Sequence, residues 1–137
     1  MATEYLEKKT NLAQILASKA KKETSITYHD PCHARKMQGI FKEPRNLLSQ
    51  NYVMKEMSDP NRCCGFGGVT MQTEKYAFSK AAGLPKAAMI KESGAAFVSA
   101  ECSAFLMQLS NALYGQQVDV VFKNPIELIA SALRDEK

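Results

Sequence analysis

The sequence predicts an α/β fold with a small, three- to four-stranded, mostly parallel sheet that is flanked by helices in Rossmann-like layering. Short runs rich in β-branched and aromatic residues alternate with longer stretches whose apolar residues have helical spacing. Turns such as Asp30-Pro31 and Asp59-Pro60 end these runs and leave room for a helix between consecutive strands. Strands that are connected through helices pair in parallel, and their C-terminal ends gather at one edge of the sheet.

Four short segments have the composition of strands. They cover about residues 25–29, 52–57, 95–100 and 118–122. The third segment is entered through Gly94 and is almost entirely apolar, which is typical of a strand that is buried on both faces.

Helices are predicted around and between these strands. The first is amphipathic and covers about residues 4–20, and a second has Pro44 in its first turn. A helical stretch over about 71–92 contains Gly83 and Pro85, which are expected to break it into two helices. The last two predicted helices begin at Ser103 and at Pro125.

The length and the composition are those of one soluble domain. We expect a single cysteine-rich domain over 1–137, in which 1–24 form an N-terminal helix and lead-in and 25–134 form the core. The net charge is only +4, and the densest lysine stretch, around 19–22, has no aromatic residues, so no nucleic-acid partner is expected. There is no apolar run long enough for a membrane span and no signal-peptide layout, which favours a cytoplasmic location.

Four cysteines are the chemically distinctive residues of the chain. Cys32 follows the first predicted strand, Cys63 and Cys64 follow the second, and Cys102 follows the third. Open α/β sheets have their sites just beyond the C-terminal ends of the strands, so the four thiols are expected to meet there. Adjacent cysteines are poor disulfide partners and cytosolic thiols stay reduced, which favours metal ligands or redox thiols. The sequence thus predicts a metal site at the C-terminal edge of the sheet.

The strongest local motif is Asn61-Arg62-Cys63-Cys64-Gly65-Phe66-Gly67-Gly68. Its glycines, Gly65, Gly67 and Gly68, predict a tight turn in which backbone N–H groups approach the cysteine sulfurs and stabilise their negative charge. We therefore include these glycines among the candidate cofactor-binding residues. A phosphate loop or a dinucleotide fold is not favoured, since no Lys-Ser/Thr pair follows and the glycine spacing is wrong.

The cysteine pattern resembles that of the cysteine-rich CCG domain family. That family includes the B-type subunit of heterodisulfide reductase and the iron–sulfur subunits of glycolate oxidase, lactate-utilisation and anaerobic glycerol-3-phosphate dehydrogenase complexes. Its signature is a cysteine, a long gap, Cys-Cys-Gly, a similar gap and Cys-x-x-Cys. Here 30 residues separate Cys32 from Cys63, and 37 separate Cys64 from Cys102. The resemblance covers about residues 25–134 and is nearest to the C-terminal domain of a glycolate-oxidase-type subunit.

The resemblance implies an electron-transfer domain that has no complete active site of its own. It implies a 4Fe–4S cluster, which is noncubane in heterodisulfide reductase, bound by Cys32, Cys63, Cys64 and Cys102. His33, which directly follows Cys32, is either a further candidate ligand or a turn histidine that donates to a backbone carbonyl. The implied partners are a flavin dehydrogenase subunit and the other iron–sulfur domains of the same complex. Any association with a membrane would come through these partner subunits.

The chain departs from the family pattern at one position. The second cysteine of the terminal Cys-x-x-Cys would be residue 105, which is Phe105 here. Four thiols therefore stand where the family has five. Four are enough for a cubane-like cluster or for a tetrahedral zinc ion.

Two other functions remain open at the level of sequence. One is a zinc-binding structural or interaction module that uses the same four cysteines, or three of them and His33. The other is a thiol enzyme with Cys32 as nucleophile and His33 or His29 as base, although adjacent residues such as Cys32 and His33 point in different directions. Otherwise, His29 is expected to be a strand histidine whose polar atoms are satisfied.

Overall fold

The computed structural model describes residues 1–66, 76–116 and 118–135. In these ranges the chain forms one four-stranded sheet in which every pair of neighbouring strands is parallel. The strands are β1 (Ser25–Tyr28), β2 (Val53–Met54), β3 (Phe97–Ser99) and β4 (Val121–Phe122). The predicted α/β class with a small parallel sheet is confirmed.

Six helices lie around the sheet in the described ranges. They are α1 (Ala2–Lys9), α2 (Leu12–Ala17), α3 (Lys42–Leu48), α4 (Tyr76–Ser93), α5 (Ser103–Gln116) and α6 (Pro125–Leu133). A π-helical turn, His33–Met37, follows β1 and was not expected from the sequence. Helix α6 begins with a capping box, in which Asn124 accepts from the N–H of Ile126 and Glu127 accepts from the N–H of Asn124.

The strand order β2-β1-β3-β4 determines where a binding site forms. The chain runs from β1 outward to β2 and then crosses to β3 on the other side of β1. In the central pair, Ile26 is opposite Phe97 and Tyr28 is opposite Ser99. Because the connections leave β1 and β3 in opposite directions, a crevice opens beyond the C-terminal ends of these two strands.

Two apolar clusters cover the two faces of the sheet. Ile26 and Tyr28 of β1 pack with residues of α2, α3 and α6. Val98 of β3 packs with residues of α4 and α5, among them Ile90 and Phe105. The central strands β1 and β3 are therefore buried from both sides, as their apolar composition indicates.

The structure corrects two of the predicted helices. The helix expected over 4–20 is two helices, because Thr10 is extended (φ −134°, ψ 170°) and ends α1 before α2 begins. The break expected at Gly83 and Pro85 is wrong, since α4 runs through both residues. Proline removes one helical hydrogen bond, but the face of α4 that carries buried Gly83 and Ile90 remains packed in the core. The part of this prediction over 71–75 lies outside the described residues.

Among the helices in the described ranges, none has both the length and the apolar composition that a membrane span requires.

Candidate metal centre

A cavity of about 230 Å³ lies beyond the C-terminal ends of β1 and β3. Cys32 follows β1, Cys102 follows β3, and both line this cavity. The third thiol on its wall is Cys64, which a loop brings across from the edge strand β2. The N–H of Asp30 donates to the carbonyl of Pro60 at 3.0 Å and so ties this loop to the end of β1. The fold thus brings three thiols that are distant in sequence to one cavity.

A buried carboxylate holds the turn that carries Cys32. Asp30 is 1% exposed, and its two oxygens accept from Arg35 at 2.8 Å and from Arg45 at 2.6 Å. Arg45 also pairs with Glu56 at 2.6 Å. A buried carboxylate needs such partners because the desolvation of an unpaired charge is costly. The two arginines therefore fix the entry into the π-helical turn that begins after Cys32.

Cys102 lies directly before α5, at the N-terminal end of a helix of 14 residues. The helix dipole places partial positive charge at this end, beside Cys102. The carboxylate of the preceding residue, Glu101, accepts from the backbone N–H and from the hydroxyl of Thr3. Met1 also lines the cavity, so the segment 1–24 contributes to its wall as well as the predicted core.

Cys64 is the buried member of the four thiols. It is 6% exposed, and burial raises the pKa of its thiol. A hydrogen bond from the backbone of Phe66 lowers this pKa, whereas the nearby thiols of Cys63, Cys32 and Cys102 raise it. Thiolates that line one cavity repel one another. The charged form of the set is therefore favoured when a cation lies among the sulfurs.

The start of the predicted glycine turn is described. Gly65 has φ +83°, and its N–H donates to Sγ of Cys63 at 3.4 Å. Cys63 is exposed and is not among the residues that line the cavity, although it is next to Cys64. All four thiols are free of disulfide bonds. The predictions for Gly67 and Gly68 concern positions outside the described residues.

The loop also requires glycine at position 65 because it lies directly against α4. A Cβ atom on Gly65 would be 2.6 Å from Cβ of Ala82 and 2.7 Å from the carbonyl oxygen of Ser79. The hydroxyl of Ser79 donates to the carbonyl of Gly65 at 2.7 Å. From α5, Nε2 of Gln108 donates to the carbonyl of Ser79 at 2.7 Å. Two helices thus hold the end of the cysteine loop in place.

Lys86 holds the beginning of the same loop and was not predicted as a site residue. Its side chain is 1% exposed, and Nζ donates to the carbonyls of Asp59 at 2.8 Å and of Pro60 at 3.2 Å. In the described ranges no carboxylate forms an ion pair with this ammonium group. Burial lowers the pKa of Lys86 to about 8, against the opposing attraction of Asp59 and of Cys64.

A sequence signal for Lys86 exists in its spacing. Ser79, Gly83 and Lys86 follow each other at intervals of four and three residues, and all three are buried on one face of α4. Residues with this spacing share a helix face. A lysine in register with small, buried residues indicates a buried cation, and the predicted break at Gly83 and Pro85 concealed the pattern.

Both histidines of the chain line the cavity. His33 lies in the first position of the π-helical turn. His29 follows β1 and is 1% exposed, and its Nδ1 atom has no hydrogen-bond partner among the described residues. The expectation that the polar atoms of His29 are satisfied is therefore wrong. Burial and the charge of Lys86 lower the pKa of His29 to about 3, so its imidazole is neutral at physiological pH.

Phe105, which occupies the position of the absent cysteine, lies in the core and not on the cavity wall. Its side chain is completely buried and packs against Phe122. Its ring stacks on that of His29 with the centroids 4.0 Å apart and an angle of 15° between the planes. The neighbouring Ala104 lines the cavity. Residue 105 is thus separated from the cavity by one aromatic layer, the imidazole of His29.

The donor set and the cavity fit an iron–sulfur cluster. Thiolates are the ligands that such clusters use, and backbone N–H groups that point at the sulfurs stabilise them. The volume of about 230 Å³ is several times that of a water molecule and has room for a group of several atoms. In the described ranges, no three His, Cys, Asp or Glu side chains lie close enough together to hold a single metal ion as they stand.

A small parallel sheet with a cysteine-lined crevice at its switch point defines the class of a cysteine-rich α/β domain. The profile of the CCG family, whose description is "cysteine-rich domain", matches residues 26–110. The chain therefore belongs to the CCG cysteine-rich domain family, as the spacing of its cysteines indicates.

Relatives of this chain are found in archaea and bacteria. It is 34% identical over 114 residues to a subunit of the dihydromethanophenazine:CoB–CoM heterodisulfide reductase of Methanosarcina barkeri, over 80% of this chain and 28% of that protein. It is 26% identical over 131 residues to iron–sulfur subunit 2 of the Hdr-like menaquinol oxidoreductase of Archaeoglobus fulgidus, over 88% of this chain and 24% of that protein. It is 30% identical over 111 residues to lactate utilization protein A of Bacillus subtilis, over 79% of this chain and 46% of that protein. The chain spans less than half the length of each of these relatives.

Proposed function

We propose that this chain is the electron-transfer domain of an iron–sulfur oxidoreductase and that its four cysteines bind a 4Fe–4S cluster. The observation that carries the proposal is that Cys32, Cys64 and Cys102, from three separate connections of the sheet, line one cavity. Cys63 is adjacent to Cys64, and a rotation of its exposed side chain supplies the fourth thiolate. The relatives that carry iron–sulfur names support the same role.

The cluster supplies one-electron transfer when it is bound, and the chain supplies the environment that tunes it. The N–H groups of Gly65 and Phe66 donate toward the sulfurs of Cys63 and Cys64. Such bonds stabilise negative charge on the sulfurs and favour the reduced state. The start of α5 adds a positive dipole end beside Cys102. The domain thus holds and insulates the electron carrier.

Partner subunits complete the proposed function. Because the chain spans only 24% to 46% of the relatives described above, further domains belong to the working protein. The proposed partners are a flavin dehydrogenase subunit and other iron–sulfur domains, from which electrons enter and to which they leave. Oxidation of glycolate, lactate or glycerol-3-phosphate, or heterodisulfide reduction, would be the overall reaction. The proposed location is the cytoplasm, with any membrane attachment through a partner.

The test is the metal content of protein that is prepared without oxygen while iron, sulfide and zinc are all available. About four irons and four sulfides per chain, with visible cluster absorbance, are expected. Cys32→Ser, Cys64→Ser and Cys102→Ser should each lose most of the iron, and His33→Ala serves as a control on the same cavity wall. Wild-type protein without iron and sulfide would refute the proposal.

A zinc-binding structural module is the second candidate. Cys32, Cys64, Cys102 and His33 line the same cavity, and their side chains are the donor types of a Cys₃His zinc site. The competition experiment separates the two functions, because one zinc per chain with no sulfide is expected only for the structural module. In that case His33→Ala would lower the zinc affinity, whereas Cys63→Ser would have little effect.

A further inference from the structure

The loop that carries the two adjacent cysteines lies along one side of α4. At the end of the loop, a Cβ atom on Gly65 would be only 2.6 Å from Cβ of Ala82. At its beginning, Nζ of Lys86 donates to the carbonyls of Asp59 at 2.8 Å and of Pro60 at 3.2 Å. The two helical contact points are four residues apart, which is about 6 Å along the helix axis. Both cysteines belong to the short stretch of chain between these contacts.

The packing of the core on this side of the sheet also brings Lys86 near Cys64. Nζ of Lys86 contacts Sδ of Met57 at 3.4 Å. Met57, Cys64 and Ala87, which directly follows Lys86, belong to the same buried cluster. Burial lowers the pKa of Lys86 to about 8, and attraction by Asp59 and Cys64 acts in the opposite direction. The ammonium group therefore interacts with the cysteine site through the interior of the protein.

The charge of Lys86 has no carboxylate partner at ion-pair distance among the residues that the structure describes. Asp59 and Asp30 attract the ammonium group from further away, and Arg62 repels it. The carboxylate of Asp30 is already paired with two arginines. His29 is neutral at physiological pH, because its pKa is lowered to about 3 by burial and by the charge of Lys86. A buried cation of this kind needs a negative group nearby to offset its desolvation.

We propose that Lys86 is a positioning residue of the metal centre, which holds the cysteine loop and raises the reduction potential of the bound cluster through its buried positive charge. The proposal rests on the proposed function. Reduction adds one electron to a site that thiolates already make negative, and a nearby positive charge in a medium of low dielectric constant stabilises the added charge. The hydrogen bonds to Asp59 and Pro60 fix the ammonium group, so that it does not have to move when the electron arrives.

The reduction potential of anaerobically reconstituted protein at pH 7 tests this role with three variants. Lys86→Met removes the charge and the hydrogen bonds, Lys86→Gln removes the charge and retains an N–H donor, and Lys86→Arg retains the charge. The first two should each make one-electron reduction about tenfold less favourable, which is a shift of about 59 mV to lower potential. Lys86→Arg should have a potential close to that of the wild-type protein.

A matched control removes the same charge from the exposed side of the same helix. Lys80 is exposed on α4, so solvent and salt screen its charge from the cysteine site. Lys80→Met should therefore shift the potential much less than Lys86→Met. Thermal unfolding of the metal-free proteins shows whether each variant is folded before its potential is compared.

The wild-type protein provides an independent measurement. Coupling between two sites is reciprocal, so reduction of the cluster must raise the proton affinity of Lys86 by the same factor of about ten. NMR titration of protein with 13C-labelled lysine measures this affinity in the oxidised and the reduced states. The low pKa of Lys86 identifies its signal.

Three results would overturn the proposal. An unchanged potential in both Lys86→Met and Lys86→Gln excludes an effect of the charge and leaves the proposed function intact. A potential of Lys86→Arg as low as that of Lys86→Met would assign the effect to packing. A proton affinity of Lys86 that is the same in both redox states excludes the coupling even when no variant folds. Failure of the wild-type protein to assemble a cluster would instead remove the proposed function, and this role of Lys86 with it.

Discussion

The ammonium group of Lys86 lies 2.8 Å from the carbonyl oxygen of Asp59, four residues before Cys63 in the chain. The buried ammonium group of Lys86 thus contacts the backbone just before the two adjacent cysteines. Among the described residues its partners are carbonyl oxygens and the sulfur of Met57, not a carboxylate. An anionic thiolate site nearby would supply the missing counter-charge and offset the cost of burying the lysine.

Replacing Lys86 should therefore change how the stability of the metal-free protein depends on pH. The pKa of Lys86 is lowered from 10.5 to about 8 in the folded state. Between these values the unfolded chain binds more protons, so the free energy of unfolding rises with pH. Relative to Lys86→Met, the wild-type protein should gain up to about 3 kcal/mol from pH 8 to pH 10.5. Urea unfolding under reducing conditions measures this difference.

The control for this experiment is another lysine on the same helix. Lys80 is exposed on α4, so Lys80→Met changes the net charge equally without removing a buried cation. Its unfolding free energy should stay parallel to that of the wild-type protein across the pH range. A Lys86→Met profile that also runs parallel would contradict the assignment of Lys86 as a buried, easily deprotonated cation.

Gly65→Ala should destabilise the cysteine loop more than a comparable glycine substitution elsewhere. Gly65 and Gly39 both have positive φ, at +83° and +68°, so alanine costs about 1–2 kcal/mol in backbone strain at either position. Only at Gly65 would the new Cβ collide with Ala82 and Ser79, whereas nothing lies within 4 Å at Gly39. The collision should add about 1–3 kcal/mol. Thermal unfolding of both variants checks this, and equal losses of stability would refute it.

Asp30→Asn should remove the charge that holds the turn before Cys32. The carboxylate is buried and pairs with both Arg35 and Arg45, so its neutralisation leaves two guanidinium groups with a weaker partner. The expected loss is about 3 kcal/mol in the free energy of unfolding. Glu56→Gln is the control, because this exposed partner of Arg45 should contribute less than about 1 kcal/mol. If the two variants lose similar amounts, the buried pair is not what holds the turn.

Phe105→Cys should have opposite effects on the metal-free and the metal-loaded protein. Loss of a completely buried ring that packs against His29 and Phe122 should cost about 3 kcal/mol in the metal-free state. If the new thiol binds the cluster, the added negative charge should lower the reduction potential. Leu106→Cys, at the next and partly exposed position, adds a thiol without opening the core. Identical behaviour of the two variants would mean that position 105 has no special relation to the site.

Much of the fold could be predicted because it depends on local patterns. The strands at Ser25–Tyr28 and Phe97–Ser99 and the capping box at Asn124 are visible in short stretches of sequence. The break at Thr10 could not be predicted, because no glycine or proline marks it in the sequence. Pro85 misled the prediction for α4, since tertiary packing overrode a strong local signal.

The site residues also fall into those that the sequence could predict and those that it could not. The positions of the cysteines after the strands followed from topology, so Cys32, Cys64 and Cys102 could be expected at one edge of the sheet. The role of Lys86 could not, because it depends on contacts with the carbonyls of Asp59 and Pro60 in a loop of irregular conformation. Whether an individual buried atom has a partner is a property of the folded chain that neither composition nor spacing encodes.

Cys32 and Cys102 are 70 positions apart in the chain and face the same cavity. Any group that is bonded to both sulfurs is a covalent cross-link between two segments that are far apart in the chain. Such a cross-link restricts the unfolded chain far more than the folded one, and its benefit grows slowly with the length of the loop that it closes. Oxidative loss of the bound group would therefore weaken the whole domain as well as stop electron flow. Damaged copies would become the ones that unfold and are degraded first.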